Sequence, residues 1–267
     1  MASIPRKVAA RLAAGLKRFQ PILDSARARD VNESDTVMIV TDVLSEILGF
    51  DKYAEITSEH NIRGTFCDLA IKLDGELSLL IEVKAIGLEL KDSHVRQAVD
   101  YAANKGCEWV ALTNGVQWRV YRVTFSKPIE HELIAEFELI KLNHRRDADL
   151  EMLWLISKEG WQKSRLSEYA TQQQSLNRFV LGSVVLSDPC LAVIRRELRR
   201  VYPEAKVSAD QIQQVLAQDV LKRDVIEGEK AVEARRLYLR SSSRALRETS
   251  KEQVAAPMAS GDPSTES

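Results

Sequence analysis

The stretch Cys67-Asp68-Leu69-Ala70-Ile71-Lys72-Leu73-Asp74-Gly75-Glu76-Leu77-Ser78-Leu79-Leu80-Ile81-Glu82-Val83-Lys84 constrains the fold more than any other part of the chain. It reads as two apolar strands joined by an Asp-Gly turn, a strong hairpin signal. Each strand carries charge where a core strand ordinarily has none. Glu82 and Lys84 are two residues apart, so in a strand they share a face. An acid and a base buried without partners are costly, so a metal, a partner group or water has to satisfy them.

The turn imposes a geometric condition. A plain two-residue loop at Asp74-Gly75 pairs Asp68 with Ile81 and puts Asp68 and Glu82 on opposite faces. Joint action of the two acids therefore requires a three-residue loop or a bulge, with Gly75 at positive φ. Two carboxylates so placed can hold a hard divalent cation such as Mg²⁺ or Mn²⁺. That cation lowers the pKa of a bound water and stabilises charge on phosphoryl oxygens, and a neighbouring lysine can orient the water. The plain alternative is a surface hairpin with a solvated Glu82–Lys84 pair, because an ExK tripeptide alone is weak evidence.

Around this hairpin the texture is mixed. A basic opening segment places Val8, Leu12, Leu16, Phe19 and Leu23 on one helix face, with Pro21 expected to kink or split it. An amphipathic helix docked on the core is the expectation, and a targeting peptide is the alternative. A second helix runs from an Asn32 or Ser34 cap to Gly49. Strands are predicted at residues 53–59, 66–73, 77–85, 109–113, 117–125 and 132–140, with a helix at 92–104. Beyond residue 141 the pattern is helical, and Ser208 with Gln211 forms a capping box. The order of elements indicates an α/β fold with a mixed sheet.

Gln97 and Tyr101, four apart on the 92–104 helix, share one face. The order Asp68, Glu82-Val83-Lys84, Gln97-Ala98-Val99-Asp100-Tyr101 resembles the PD-(D/E)xK nuclease superfamily, in its branch with a trailing QxxxY helix. With Leu112-Thr113-Asn114-Gly115 and Trp118-Arg119-Val120-Tyr121, it is similar to the N-terminal nuclease domain of type I restriction enzyme R subunits, over roughly residues 33–125. The resemblance implies a restriction-endonuclease-like mixed β-sheet flanked by helices, followed by a helical C-terminal region. It implies metal binding by Asp68, Glu82 and the Val83 carbonyl, with Glu46 as a further acid and Lys84 as the catalytic lysine. Gln97 and Tyr101 then flank the site. Cys67 stands where the superfamily name has proline, and no GxxxxGK[ST] loop occurs, so an ATP-driven motor is not expected in this chain.

The expected organisation is an N-terminal helix at 1–32, the nuclease domain at 33–141, a helical region at 142–248 and a disordered tail at 249–267. Arg195, Arg196, Arg199 and Arg200 on a predicted helix are candidate phosphate contacts, as are Lys141, His144, Arg145 and Arg146; a solvated face is the plainer reading of each. Trp154, Trp161 and Tyr169 read as packing residues, and His60 and His94 have no assigned role. A formal net charge of −1 does not decide for or against nucleic acid, because distribution matters more than the sum. Three scattered cysteines and the lack of a long apolar run point to a cytoplasmic protein without a membrane span. The leading expectation is a Mg²⁺- or Mn²⁺-dependent nuclease acting on DNA, with a homodimer or helper protein left open. The alternatives are a nuclease-fold module that binds nucleic acid or a partner without cutting, and an interaction protein whose helical half does the work.

Overall fold

The computed structural model describes residues 3–62 and 65–255, and side chains within them at 3–58 and 67–243. The chain forms two compact units, Met1–Thr171 and Gln172–Ser267.

The first unit is built on a mixed sheet. Among the described residues, its strands are β1 (Ile56–Ile62), β2 (Thr65–Leu73), β3 (Glu76–Val83), β4 (Trp109–Thr113), β5 (Gln117–Thr124) and β6 (Glu130–Glu138), in spatial order β1-β2-β3-β4-β5-β6. Neighbours are antiparallel except β3 and β4, which run parallel. A parallel pair needs a crossover, and α3 (Asp92–Lys105) supplies it. α3 ends at Gly106, whose φ of 69° gives the left-handed cap that glycine adopts without Cβ strain.

Alternation along the strands divides the core between the two sheet faces. Leu69, Ile71, Ile81, Val83, Ala111 and Val120 belong to the cluster that includes Leu12, Leu16, Phe19 and Leu23 of α1 (Arg6–Ala28) and Val40 of α2 (Glu33–Asp42). Ala70, Leu80, Val110, Leu112 and Tyr121 pack instead with Val95, Ala98, Val99, Tyr101 and Ala102 of α3. The central strands are thus covered on both faces, which is why they read as nearly continuous apolar runs.

Several elements differ in detail from the sequence reading. α1 is not split at Pro21, which lies on its exposed face, where the carbonyl left without its helical donor can be hydrated. β1 begins at Ile56 rather than at residue 53, because Asp51 accepts backbone hydrogen bonds from Tyr53 and Ala54 and holds them in a turn. The second helix continues from α2 into a π-helical turn at Val43–Ile47. The first unit extends past residue 141: α4 (Asp147–Ile156), α5 (Lys158–Gln162) and the start of α6 (Arg165–Ser175) contribute Leu150, Leu153, Trp154, Ile156, Leu166 and Ala170 to the core shared with α1. Trp161 and Tyr169 pack against the same cluster.

The second unit contains α7 (Arg178–Val185), α8 (Asp188–Val201), α9 (Ala209–Val215), α10 (Arg223–Ile226) and α11 (Glu229–Ala255). Ser208 and Gln211 make the expected capping box on α9. α11 runs into the segment read as a tail from residue 249, which is helical to Ala255; the rest of that segment lies outside the described residues.

Candidate active site

The hairpin of β2 and β3 meets the geometric condition through a bulge. The turn is tight, with Asp74 at φ 51° and Gly75 at φ 83°. Leu73 faces Glu76 and Lys72 faces Leu77, but Ile71 faces Leu79, so Ser78 is an extra residue on β3. The register then continues through Ala70↔Leu80 and Leu69↔Ile81, which sets Asp68 opposite Glu82. One inserted residue brings the two acids to one place.

At this end side chains replace the backbone ladder. Asp68 Oδ2 accepts a hydrogen bond from the Val83 N–H at 2.6 Å, and the Cys67 thiol donates to the Ile81 carbonyl at 3.1 Å. On the other side of β3, the Lys84 N–H donates to the Thr113 carbonyl of β4 at 2.8 Å. Val83 and Lys84 are therefore fixed from both sides.

Lys84 Nζ lies 2.6 Å from Glu82 Oε1 and 3.6 Å from Glu33 Oε2. Glu82 is 3% exposed, and its Oε2 is buried without a hydrogen-bond partner. Among the described residues Trp154 Nε1 and Arg165 Nε also lack partners, but neither belongs to an acid. Burial pushes the Glu82 carboxyl above its usual range, against the hydrogen bond from Lys84, and the Asp68 charge adds to the rise. Burial alone would lower the Lys84 ammonium. Its bond to Glu82 and the charges of Glu82, Glu33 and Asp68 outweigh that and raise it, so Lys84 is a cation at neutral pH. Cys67 is pushed strongly up, by burial first and then by the Glu82 and Asp68 charges, and is no nucleophile.

The other sequence candidates fall in different places. Tyr101 is buried beneath the sheet, and Gln97, one turn earlier on α3, is exposed. Glu46 pairs with Arg18 of α1, and the acid brought to Lys84 from the second helix is Glu33 instead. Asn32 accepts from the Asp35 N–H and so caps α2, placing Glu33 at its first position. That cap was visible in the sequence, but not its orientation toward Lys84. His94 Nδ1 accepts from the Lys91 N–H at the start of α3, and the His60 side chain lies outside the described ones. Arg195 is half-buried on α8, Arg196, Arg199 and Arg200 are exposed, and Glu197 pairs with both Arg196 and Arg200.

Among the described residues no group of three or more His, Cys, Asp or Glu side chains stands ready to hold a metal. What the site offers is two facing carboxylates, oxygen donors of the kind a hard cation takes. The mixed α/β sheet thus brings two acids and a lysine together at the end of β3. Residues 42–137 match the family model of the type I restriction enzyme R protein N terminus, in agreement with the resemblance carried by the motifs. The matched span holds Asp68, Glu82, Lys84, Gln97 and Tyr101 and leaves out Glu33. No curated protein and no solved structure matches the chain.

Proposed function

We propose that the first unit is a divalent-metal-dependent nuclease that hydrolyses phosphodiester bonds in DNA. The observation that carries this reading is Glu82: a buried acid whose Oε2 lacks a partner, opposite Asp68 and bonded to Lys84. An unpaired carboxylate oxygen in such a place is destabilising, and a bound cation would relieve the penalty. Asp68, Glu82 and the Val83 carbonyl would hold Mg²⁺ or Mn²⁺. Glu46, occupied by Arg18, does not belong to that set.

When bound, the cation supplies Lewis acidity at the phosphoryl oxygens and lowers the pKa of a ligated water. The protein's own groups do the rest. Glu82 orients the Lys84 ammonium, which donates to water or to a phosphoryl oxygen and stabilises the charge that develops there. The Val83 N–H fixes the Asp68 carboxylate. Gln97 contacts substrate from the exposed side of α3, while buried Tyr101 supports the site from beneath. Arg195, Arg196, Arg199 and Arg200 on α8 are candidate phosphate contacts of the second unit, taken by itself. Among the described residues no helix is long and apolar enough to cross a membrane, and a cytoplasmic DNA substrate suits the family match.

Cleavage of supercoiled plasmid and single-stranded DNA with Mg²⁺ or Mn²⁺ tests the reading. The expected result is metal-dependent cutting that Glu82→Ala and Lys84→Ala both abolish. Cutting that survives either substitution sinks the assignment. A wild type that binds DNA but neither cuts nor takes up metal is a binding module.

A further inference from the structure

The segment between Lys84 and α3, residues 85–91, has no regular secondary structure, yet it joins the site lysine directly to the helix that carries Gln97 and Tyr101. Two side chains of the β4–β5 hairpin hold its carbonyls. Asn114 Nδ2 donates to the Leu88 carbonyl at 2.9 Å, and Arg119 Nη1 donates to the Leu90 carbonyl at 3.0 Å.

Both side chains are themselves fixed. Asn114 is 7% exposed, and its Oδ1 accepts from the N–H groups of Val116 and Gln117. Arg119 Nε donates to Glu136 Oε1 of β6 at 2.7 Å, so one planar guanidinium spans two partners. Within the segment the Leu88 N–H bonds the Ala85 carbonyl, and Ile86 and Leu90 are buried. At its two ends Lys84 N–H bonds Thr113 and Lys91 N–H bonds His94.

We propose that Asn114 and Arg119 are positioning residues, which clamp the 85–91 segment and so fix α3 and Lys84 relative to each other for the reaction. The proposal rests on the nuclease reading of the site. They act through backbone carbonyls of the segment. A clamp of this kind sets the geometry of groups that meet only when substrate is bound, and small misplacements there are costly in rate.

The test uses the full chain with Arg119→Lys, Arg119→Met and Asn114→Ala beside Glu82→Ala. Plasmid cleavage with Mg²⁺ is followed by steady-state kinetics, and amide hydrogen exchange is followed at residues 85–95. A lysine keeps a cation beside Glu136 but lacks the second fixed donor for Leu90. Arg119→Lys should therefore lose about ten-fold or more in kcat with KM little changed, like Arg119→Met. Exchange at Leu88 and Lys91 should quicken while β5 and β6 keep their protection. Arg119→Lys with wild-type kcat, or unchanged exchange in all three variants, overturns the clamp while the nuclease reading stands. A wild type that does not cut overturns both together, and that result is recognised by its identity with Glu82→Ala.

Discussion

Asp68 Oδ2 accepts a hydrogen bond from the backbone N–H of Val83 at 2.6 Å, so one proposed metal-binding acid is positioned by the backbone next to the other. The same carboxylate replaces a strand partner at the point where β2 and β3 stop pairing. Its structural and chemical roles can be separated by substitution. Asp68→Ala leaves a buried N–H unpaired and should cost about 1–3 kcal/mol, read as a fall in Tm. Asp68→Asn keeps an acceptor oxygen and should keep most of that stability. Both should lose Mg²⁺-dependent cleavage. A cutting Asp68→Asn enzyme would remove Asp68 from the proposed metal set.

The Glu82–Lys84 pair is short and largely buried, with side-chain exposures of 4% and 17%. Breaking such a pair from one side is worse than removing both charges. Lys84→Met should therefore destabilise at neutral pH by about 3–5 kcal/mol, unless Glu82 escapes the penalty by taking a proton. The double variant Glu82→Gln/Lys84→Met should be more stable than Lys84→Met alone. Denaturant unfolding of the four proteins in the cycle measures the coupling. Additive effects would make the pair a solvated one of little consequence.

The hairpin and its requirement for an extra residue were legible because Asp74-Gly75 fixes a turn and strand parity is strict. The location of the bulge at Ser78 was not, since residues 77–81 read alike as an apolar strand. Which acid of the second helix comes to Lys84 was hidden for a related reason. Glu33 and Glu46 lie on one helical stretch, but choosing between them requires the orientation of that helix on β3 and the arrival of Arg18 from α1. Both are long-range facts. The end of the first unit was hidden likewise: the helices after residue 141 carry apolar faces whose partner, α1, lies over a hundred residues earlier. The central strands were plain, because burial on both faces writes itself as apolar runs.

Glu82 also sets a pH dependence. Its folded-state carboxyl titrates above the usual 4.5, chiefly through burial, so ionising it opposes folding. Its contribution to stability is fully present below 4.5 and is lost as pH rises through the higher folded value. The Tm difference between Glu82→Gln and wild type should therefore move in favour of the variant as pH rises across that window. Mg²⁺ selects the ionised form, so metal-induced stabilisation of wild type should fade as pH drops through the same window. Thermal unfolding with and without Mg²⁺ from pH 4 to pH 8 gives both readings. A flat difference between the two proteins would mean that Glu82 is not desolvated.

Turn and bulge can be tested against each other. At Gly75 an added Cβ meets no atom within 4 Å, so Gly75→Ala suffers only the strain of its positive φ. The cost should be about 1–2 kcal/mol with cleavage intact, because the register beyond Ser78 does not depend on that residue's side chain. Deleting Ser78 tests the bulge itself. Without Ser78, Leu77 is followed by Leu79, so the pairs from Ile71↔Leu79 to Leu69↔Ile81 are kept in an unbroken ladder and Asp68 still faces Glu82. Cleavage and a Mg²⁺-induced rise in Tm should therefore both survive the deletion, as they survive Gly75→Ala. A folded Ser78 deletion that no longer responds to Mg²⁺ would show that the facing of the two acids is not enough and that the local twist of the bulge is also needed.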